Sequence, residues 1–326
     1  MLRKIAVLGA GTMGHGLAQL FAAHGLDVRL YDVHQQALES ARRHIRRSLE
    51  LIASERGTDT RETSETFESC EAEARIAYTT DLAAAVAEAE LVIEAAPERL
   101  ELKQALYRTL EPLVEPKTLV ASNTSTFPLE QLSQEIGFAH RMLILHFFNP
   151  AVHVPLVEIV QPPGFPPEAL APVLALLRRC GKVPVVLNRD IPGFIANRLQ
   201  AALLREALHL LASGVADARS IDAAVKHGPG LRWALHGPLE TADFGGLDIW
   251  ERVADQLFPL LDDTRTAPEL LRRHVREGRL GVKSGQGLYP YADEAEVKRK
   301  VKDRDRRIIR LMQAIHTEED IDHESE

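Results

Sequence analysis

Near its start the chain reads Lys4-Ile5-Ala6-Val7-Leu8 and runs straight on into Gly9-Ala10-Gly11-Thr12-Met13-Gly14. A short, mostly apolar strand pattern ends in a glycine turn, and a helical pattern follows from Thr12 to His24. Glycines suit this place because the turn is tight and the backbone must come close to a pyrophosphate. The start of the helix then offers unpaired N–H groups and a positive dipole end to the phosphates. A second strand pattern, Asp27-Val28-Arg29-Leu30-Tyr31, is followed by Asp32, 18 residues beyond Gly14. An acid there suits two ribose hydroxyls and repels a 2′-phosphate. The next residues, Val33, His34 and Gln35, add no arginine, so NAD is favoured over NADP. Strand, glycine loop, helix and acid together outweigh the alternative of a ligand-free turn with a surface aspartate. His15, next to the loop, reads as a solvated helix position.

Outward from this unit the alternation continues. Leu91-Val92-Ile93, Thr118-Leu119-Val120-Ala121 and Met142-Leu143-Ile144-Leu145 read as further strands, with helical stretches such as 99–114 between them. Strands alternating with helices predict βαβ units, a parallel sheet and an α/β fold of the doubly wound Rossmann type. From about Asp190 helical periodicity takes over, so a second, all-helical domain is expected. The boundaries are set at 1–189 and 190–326, with residues 34–75 as a helical hairpin projecting from the sheet. The segment 294–316 reads as a charged helix and 318–326 as a disordered acidic tail.

The chain has 326 residues, enough for about two domains. Its net charge of −8 argues against a nucleic-acid partner. The two cysteines, Cys70 and Cys180, form no disulfide framework and no C-x-x-C pair, so no metal site is expected. No run approaches the roughly 20 apolar residues that span a bilayer. No cleavage pattern follows the first strand, so a cytoplasmic protein without a membrane partner is expected.

Three further stretches carry chemistry: Ser122-Asn123-Thr124-Ser125, then His146 with Glu158, then Asp190 to Arg198. Ser125 and His146 follow predicted strands, and ligands of open α/β sheets bind beyond the carboxyl ends of the strands. A turn near Asn149-Pro150 brings Glu158 back toward His146. A carboxylate beside imidazole fixes its tautomer and stabilises the imidazolium. Oxidising an alcohol requires such a base, because the hydroxyl proton leaves as hydride departs. Taken singly, Glu158 also reads as an ion-pair partner, Asn197 as an ordinary helix residue and Ser125 as a cap.

With these motifs, Gly237-Pro238, Gly245-Gly246-Leu247-Asp248 and the run Gly281 to Tyr289, the sequence resembles the L-3-hydroxyacyl-CoA dehydrogenases and their relatives. The resemblance implies that His146 is the catalytic base and Glu158 its partner. It implies that Ser125 and Asn197 contact the substrate. It also implies that Glu98, Lys103, Ser125, Asn149 and Lys283 approach the cofactor beside Gly9, Gly11, Thr12, Met13, Gly14 and Asp32. It further implies a homodimer formed through the helical domain. In members acting on coenzyme A thioesters the hairpin carries a serine and a downstream lysine; here Ser48 fits, but the lysine position is Glu55. Between Glu50 and Arg75 acids outnumber bases, leaving Arg42, Arg43, Arg46 and Arg47 as candidate phosphate partners or a solvated face. Leu231 to Thr241 resembles relatives that oxidise free hydroxy acids, L-gulonate 3-dehydrogenase and carnitine dehydrogenase. Arg232 there is a candidate carboxylate fork or a surface ion pair. The expected activity is NAD-dependent oxidation of an L-3-hydroxyacyl-CoA. The alternatives are oxidation of a free 3-hydroxy acid and an inactive NAD-binding structural or sensing role.

Overall fold

The computed structural model describes residues 2–56 and 71–323. Its first part alternates β1 (Lys4–Leu8), α1 (Thr12–Ala23), β2 (Asp27–Tyr31), α2 (Gln35–Arg56), β3 (Ile76–Thr79), α3 (Leu82–Val86), β4 (Leu91–Glu94), α4 (Leu100–Leu110) and β5 (Leu119–Ser122). Then come α5 (Leu129–Leu132), β6 (Met142–Phe147), β7 (Leu156–Val160), α6 (Pro167–Arg179) and β8 (Val183–Val186). The strands form one sheet in the order β3-β2-β1-β4-β5-β6-β7-β8. All neighbours run parallel except β6 and β7, which are antiparallel.

Sequence explains the layering. β4, β5 and β6 are buried along their whole length, as a parallel sheet covered on both faces requires. Two apolar clusters lie on the two faces: one joins Val7, Leu17, Phe21 and Leu145, the other Leu8, Val92, Tyr107 and Ile144. The strand order reverses between β1 and β4, so the crevice of the fold opens beyond Leu8 and Glu94.

The five strands read from sequence are present within a residue or two. Three others were not anticipated, and each hides its pattern. β3 is only four residues long. β7 carries Glu158 in the middle of an otherwise apolar run. β8 contains Pro184, which is tolerated because this strand lies at the sheet edge. Of the expected hairpin, α2 forms the first arm; the return arm falls mostly outside the described residues.

The chain divides into two compact units, residues 1–195 with 303–326, and residues 196–302. This differs from the expected boundary, because the last helix does not belong wholly to the second domain. The second unit holds α7 (Ala196–Ala212), α8 (Ala218–His227), α9 (Pro229–Trp233), α10 (Pro238–Gly245), α11 (Leu247–Leu257) and α12 (Glu269–Arg276). The final helix α13 (Glu294–His323) starts in that unit and passes into the first, where Ile309 is buried. The acidic end expected to be disordered is helical as far as His323, because it propagates an already formed helix and needs no new nucleus.

Candidate active site

The glycine loop is built by exclusion. Gly9 adopts φ +111, and a Cβ there would stand 2.6 Å from the Ala95 carbonyl oxygen. A Cβ on Gly14 would collide with the Gly9 carbonyl. At Gly11 a Cβ would meet nothing within 4 Å. Two glycines thus serve packing, and the third keeps an open cradle at the start of α1. That helix has no side-chain cap and no acid in its first turn, so its N–H groups face the cradle. Asp32 closes the other side. Its Oδ2 accepts from Ala10 N at 2.9 Å and its Oδ1 from His34 N at 2.9 Å. Thr12 is exposed and Met13 half-buried in the first turn. His15 is not a solvated residue. Its ring stacks on His44 with centroids 5.1 Å apart, and Nδ1 lies 2.7 Å from the Gly11 carbonyl oxygen. Burial lowers its imidazole pKa against the opposing Gly11 hydrogen bond, and the neighbouring His44 adds to the lowering.

Beyond β4 lies a buried polar network that no sequence pattern announced. Glu94, fully buried, accepts from Lys103 Nζ at 2.7 Å, Tyr107 OH at 2.6 Å, Ser122 Oγ at 2.6 Å and Ala96 N at 2.7 Å. Lys103 was expected at the cofactor, but its side chain is 1% exposed and also lies 3.3 Å from Glu98. It faces inward because two carboxylates compensate the buried ammonium there. Glu98 Oε1 accepts from Thr124 Oγ1 at 2.6 Å, Ser125 N at 2.9 Å, and Thr126 N and Oγ1 at 3.2 and 3.0 Å. Burial raises the Glu98 pKa, but these donors and the Lys103 charge outweigh it and hold the carboxyl below its ordinary range. Glu98 therefore ties the loop after β4 to the loop after β5, and Ser125 stands exposed on that loop.

His146 and Glu158 are brought together by sheet register. β6 and β7 are antiparallel and pair the two residues directly. His146 Nδ1 lies 2.8 Å from Glu158 Oε2, and the residues are 3% and 1% exposed. The other Glu158 oxygen accepts from Ile195 N at 2.8 Å. That contact follows Gly193 and Phe194, both in the left-handed region at φ 77 and 53. A bulky residue at positive φ is uncommon and marks a backbone held for a purpose. The Phe194 and Phe148 rings flank His146 at 5.2 and 4.4 Å between centroids. With Nδ1 committed to the carboxylate, Nε2 is the ring nitrogen left to act on a substrate. Asn123 Oδ1 accepts from Phe147 N at 2.9 Å and so fixes the end of β6 from β5.

The remaining candidates lie elsewhere. Asn149 is exposed just after β6. Asn197, in the first turn of α7, accepts from Gln200 at 2.6 Å, and Lys283 and Arg232 are exposed; all three belong to the second unit. Ser48 is half-buried on α2. Two of the α2 arginines are already engaged: Arg46 makes a two-pronged contact with Glu73 at 2.8 and 3.0 Å, and Arg42 lies 3.9 Å from the same carboxylate.

Residues 4–191 match the profile of the 3-hydroxyacyl-CoA dehydrogenase NAD binding domain, and residues 193–291 match that of its C-terminal domain. The chain belongs to the 3-hydroxyacyl-CoA dehydrogenase family. Among relatives of this 3-hydroxyacyl-CoA dehydrogenase type is 5-formyl-3-hydroxy-2-methylpyridine 4-carboxylate 5-dehydrogenase of Mesorhizobium japonicum. It is 34% identical over 90% of this chain and 92% of its own. A probable 3-hydroxybutyryl-CoA dehydrogenase of Bacillus subtilis is 35% identical over 90% and 99%. An L-carnitine dehydrogenase of Streptomyces griseus is 35% identical over 96% and 90%. The crystal structure of an enzyme with the first of these names, called an NAD+ dependent dismutase, superposes with a TM-score of 0.87 at 33% identity, covering 97% of this chain and 99% of that one. As a 3-hydroxyacyl-CoA dehydrogenase family oxidoreductase the chain uses NAD. The Gly11 cradle, the uncapped α1 and Asp32 fit that cofactor: phosphates at the cradle, ribose hydroxyls at the carboxylate.

Proposed function

We propose that the chain oxidises a secondary alcohol at the 3-position of a small hydroxy acid, with His146 as general base. Bound NAD supplies the hydride acceptor. His146 Nε2 takes the hydroxyl proton, and Glu158 holds Nδ1–H and stabilises the imidazolium. The buried His146–Glu158 pair at 2.8 Å, on β6 near its carboxyl end and on the antiparallel β7, carries this reading. Ser125 and Asn197 are the proposed substrate contacts, and Asn149 and Lys283 proposed cofactor contacts. The same pair also favours an enzyme over an inactive NAD-binding protein, since a structural role needs no buried imidazole–carboxylate couple.

Two observations favour a free carboxylate as substrate. Arg42 and Arg46, two of the four α2 arginines that could meet coenzyme A phosphates, are drawn to Glu73. By sequence the carnitine relative also aligns over 96% of this chain, against 90% for both the pyridine-carboxylate and the butyryl-CoA relatives. The thioester reading keeps the support of that relative and of the family profile. The test compares kcat/KM for 3-hydroxybutyryl-CoA with free 3-hydroxybutyrate, L-gulonate and carnitine. A thioester preference above about tenfold, equivalent to about 1.4 kcal/mol, would overturn the free-acid reading. Localisation is proposed as cytoplasmic; among the described residues no helix is long and apolar enough to cross a membrane. A homodimer through the second unit is proposed from its exposed apolar side chains, including Leu239, Phe244, Leu247 and Phe258.

A further inference from the structure

The turn between β6 and β7 links two parts of the site. Its carbonyls at Ala151, Val152 and Val154 converge on one side chain. Lys182 Nζ donates to Ala151 O at 2.6 Å and Val154 O at 2.9 Å, with Val152 O at 3.5 Å. All three oxygens are main-chain, and Lys182 is only 4% exposed. The turn is itself closed by His153 N and Val154 N, both donating to Pro150 O at 3.0 Å. Such a turn ends in carbonyls that a cation satisfies, as a basic residue does at a helix C-terminus.

What the turn touches gives the lysine its meaning. On one side Ala151 packs on α1: a Cβ on Gly16 would stand 3.4 Å from Ala151 Cβ, ordinary contact, and Gly16 follows the glycine loop by two residues. Along the chain the turn starts at Pro150, four residues after His146, and ends at Val154, two residues before β7, which carries Glu158, begins. Val183 N, next to Lys182, donates to Pro155 O at 3.0 Å and begins the β7–β8 pairing.

We propose that Lys182 is a positioning residue for the reaction: by clamping the 151–154 turn it sets α1 and its dinucleotide cradle against the strands that carry His146 and Glu158. The proposal rests on the assignment of those two residues as the base and its partner. An apolar residue of the same length would fill the space but leave the buried Ala151 carbonyl and the partly buried Val152 and Val154 carbonyls without this donor.

The test is made on the full-length protein with Lys182→Met, Lys182→Arg and His146→Gln. NADH binding is followed by fluorescence and turnover by absorbance, and melting temperature is recorded for each. Lys182→Met is expected to weaken NADH binding by about tenfold and to lower kcat by about 10- to 100-fold, the loss typical of a small misplacement of reacting groups. Lys182→Arg, which keeps a cationic donor, should restore both to within about threefold. Should Lys182→Met not fold, Lys182→Gln, which keeps an amide donor, gives the same two readouts. NADH affinity and kcat unchanged in the folded variant would overturn the proposal. So would losses that arginine fails to rescue at equal melting temperature. Binding of NADH does not need the base, so His146→Gln should bind NADH within about twofold of wild type while losing turnover. Activity retained in His146→Gln would sink the base assignment alone and leave the Lys182 binding result to be judged separately.

Discussion

At the scale of single residues, the buried ionisable groups divide by task. His146 and Glu158 form a unit, so His146→Gln should cost about 10²–10⁴ in kcat and Glu158→Gln no more than that. The double variant should add little to the larger single effect, which a double-mutant cycle on kcat would check. With His146 in its proposed role as base, oxidation draws on the neutral imidazole and reduction on the protonated one, so initial rates measured in the two directions should respond oppositely to pH. Asp32→Ala should weaken NAD by roughly 1.5–3 kcal/mol, the size of lost hydrogen bonds to a charged acceptor. It should also lower the melting temperature, because the same carboxylate holds the Ala10 and His34 amides. Binding titrations with NAD and NADP check the first effect, and a narrowed gap between the two cofactors is expected. Lys182 makes a pH prediction. Burial pulls its ammonium down to about 8, whereas the unfolded side chain titrates at its ordinary, higher value. Between those values the unfolded state binds more protons, so stability rises with pH through that window. Lys182→Met removes this titration. The stability difference between wild type and variant should therefore shift in favour of wild type from pH 8 to pH 10, by about 2 kcal/mol. Urea denaturation at the two pH values measures it.

Elements show which parts of the site could be read from sequence. The glycine loop was legible because its requirements are local: strand, turn, helix and an acid at fixed spacing. The Glu94 network was not, because Glu94, Lys103, Tyr107 and Ser122 come from three elements that only the β4–β5 pairing and α4 assemble. The resemblance places Lys103 at the cofactor, and no pattern in its own helix marks it as buried in this network. The His146–Glu158 pair stood between these cases. Both residues stand out in the sequence, but the acid in the middle of β7 hides the strand, so the sequence suggests a turn where sheet register does the pairing. The loop glycines give an element-scale prediction. Gly14→Ala should destabilise the fold by about 1–3 kcal/mol, because its Cβ meets the Gly9 carbonyl. Gly11→Ala should leave the melting temperature almost unchanged and weaken NAD binding, because it fills only the cradle. Thermal melts paired with NADH titrations distinguish the two.

For the whole molecule, the contrast between the units matters most. The first buries its strands on both faces, whereas the second leaves Leu239 85% and Phe258 71% exposed. If that surface joins two copies, wild type should sediment at twice the chain mass. The pair Phe244→Glu with Leu247→Glu should shift it toward one, and sedimentation velocity over a hundredfold dilution would reveal the change. The composition gave only a two-domain estimate here. The exposed apolar side chains could not be told from core by periodicity, because a helix face reads the same whether it meets its own chain or another copy. The path of the chain has one more effect. Residues from Asp303 on complete the first unit, yet they are made after the whole of 196–302. A ribosome releases the amino-terminal part first, and domains usually fold in that order. Here the nucleotide-binding body waits for this helix until the whole second unit has been made, so a chain cut short after Lys302 would leave the surface that buries Ile309 open and fall to the proteases that survey unfinished proteins.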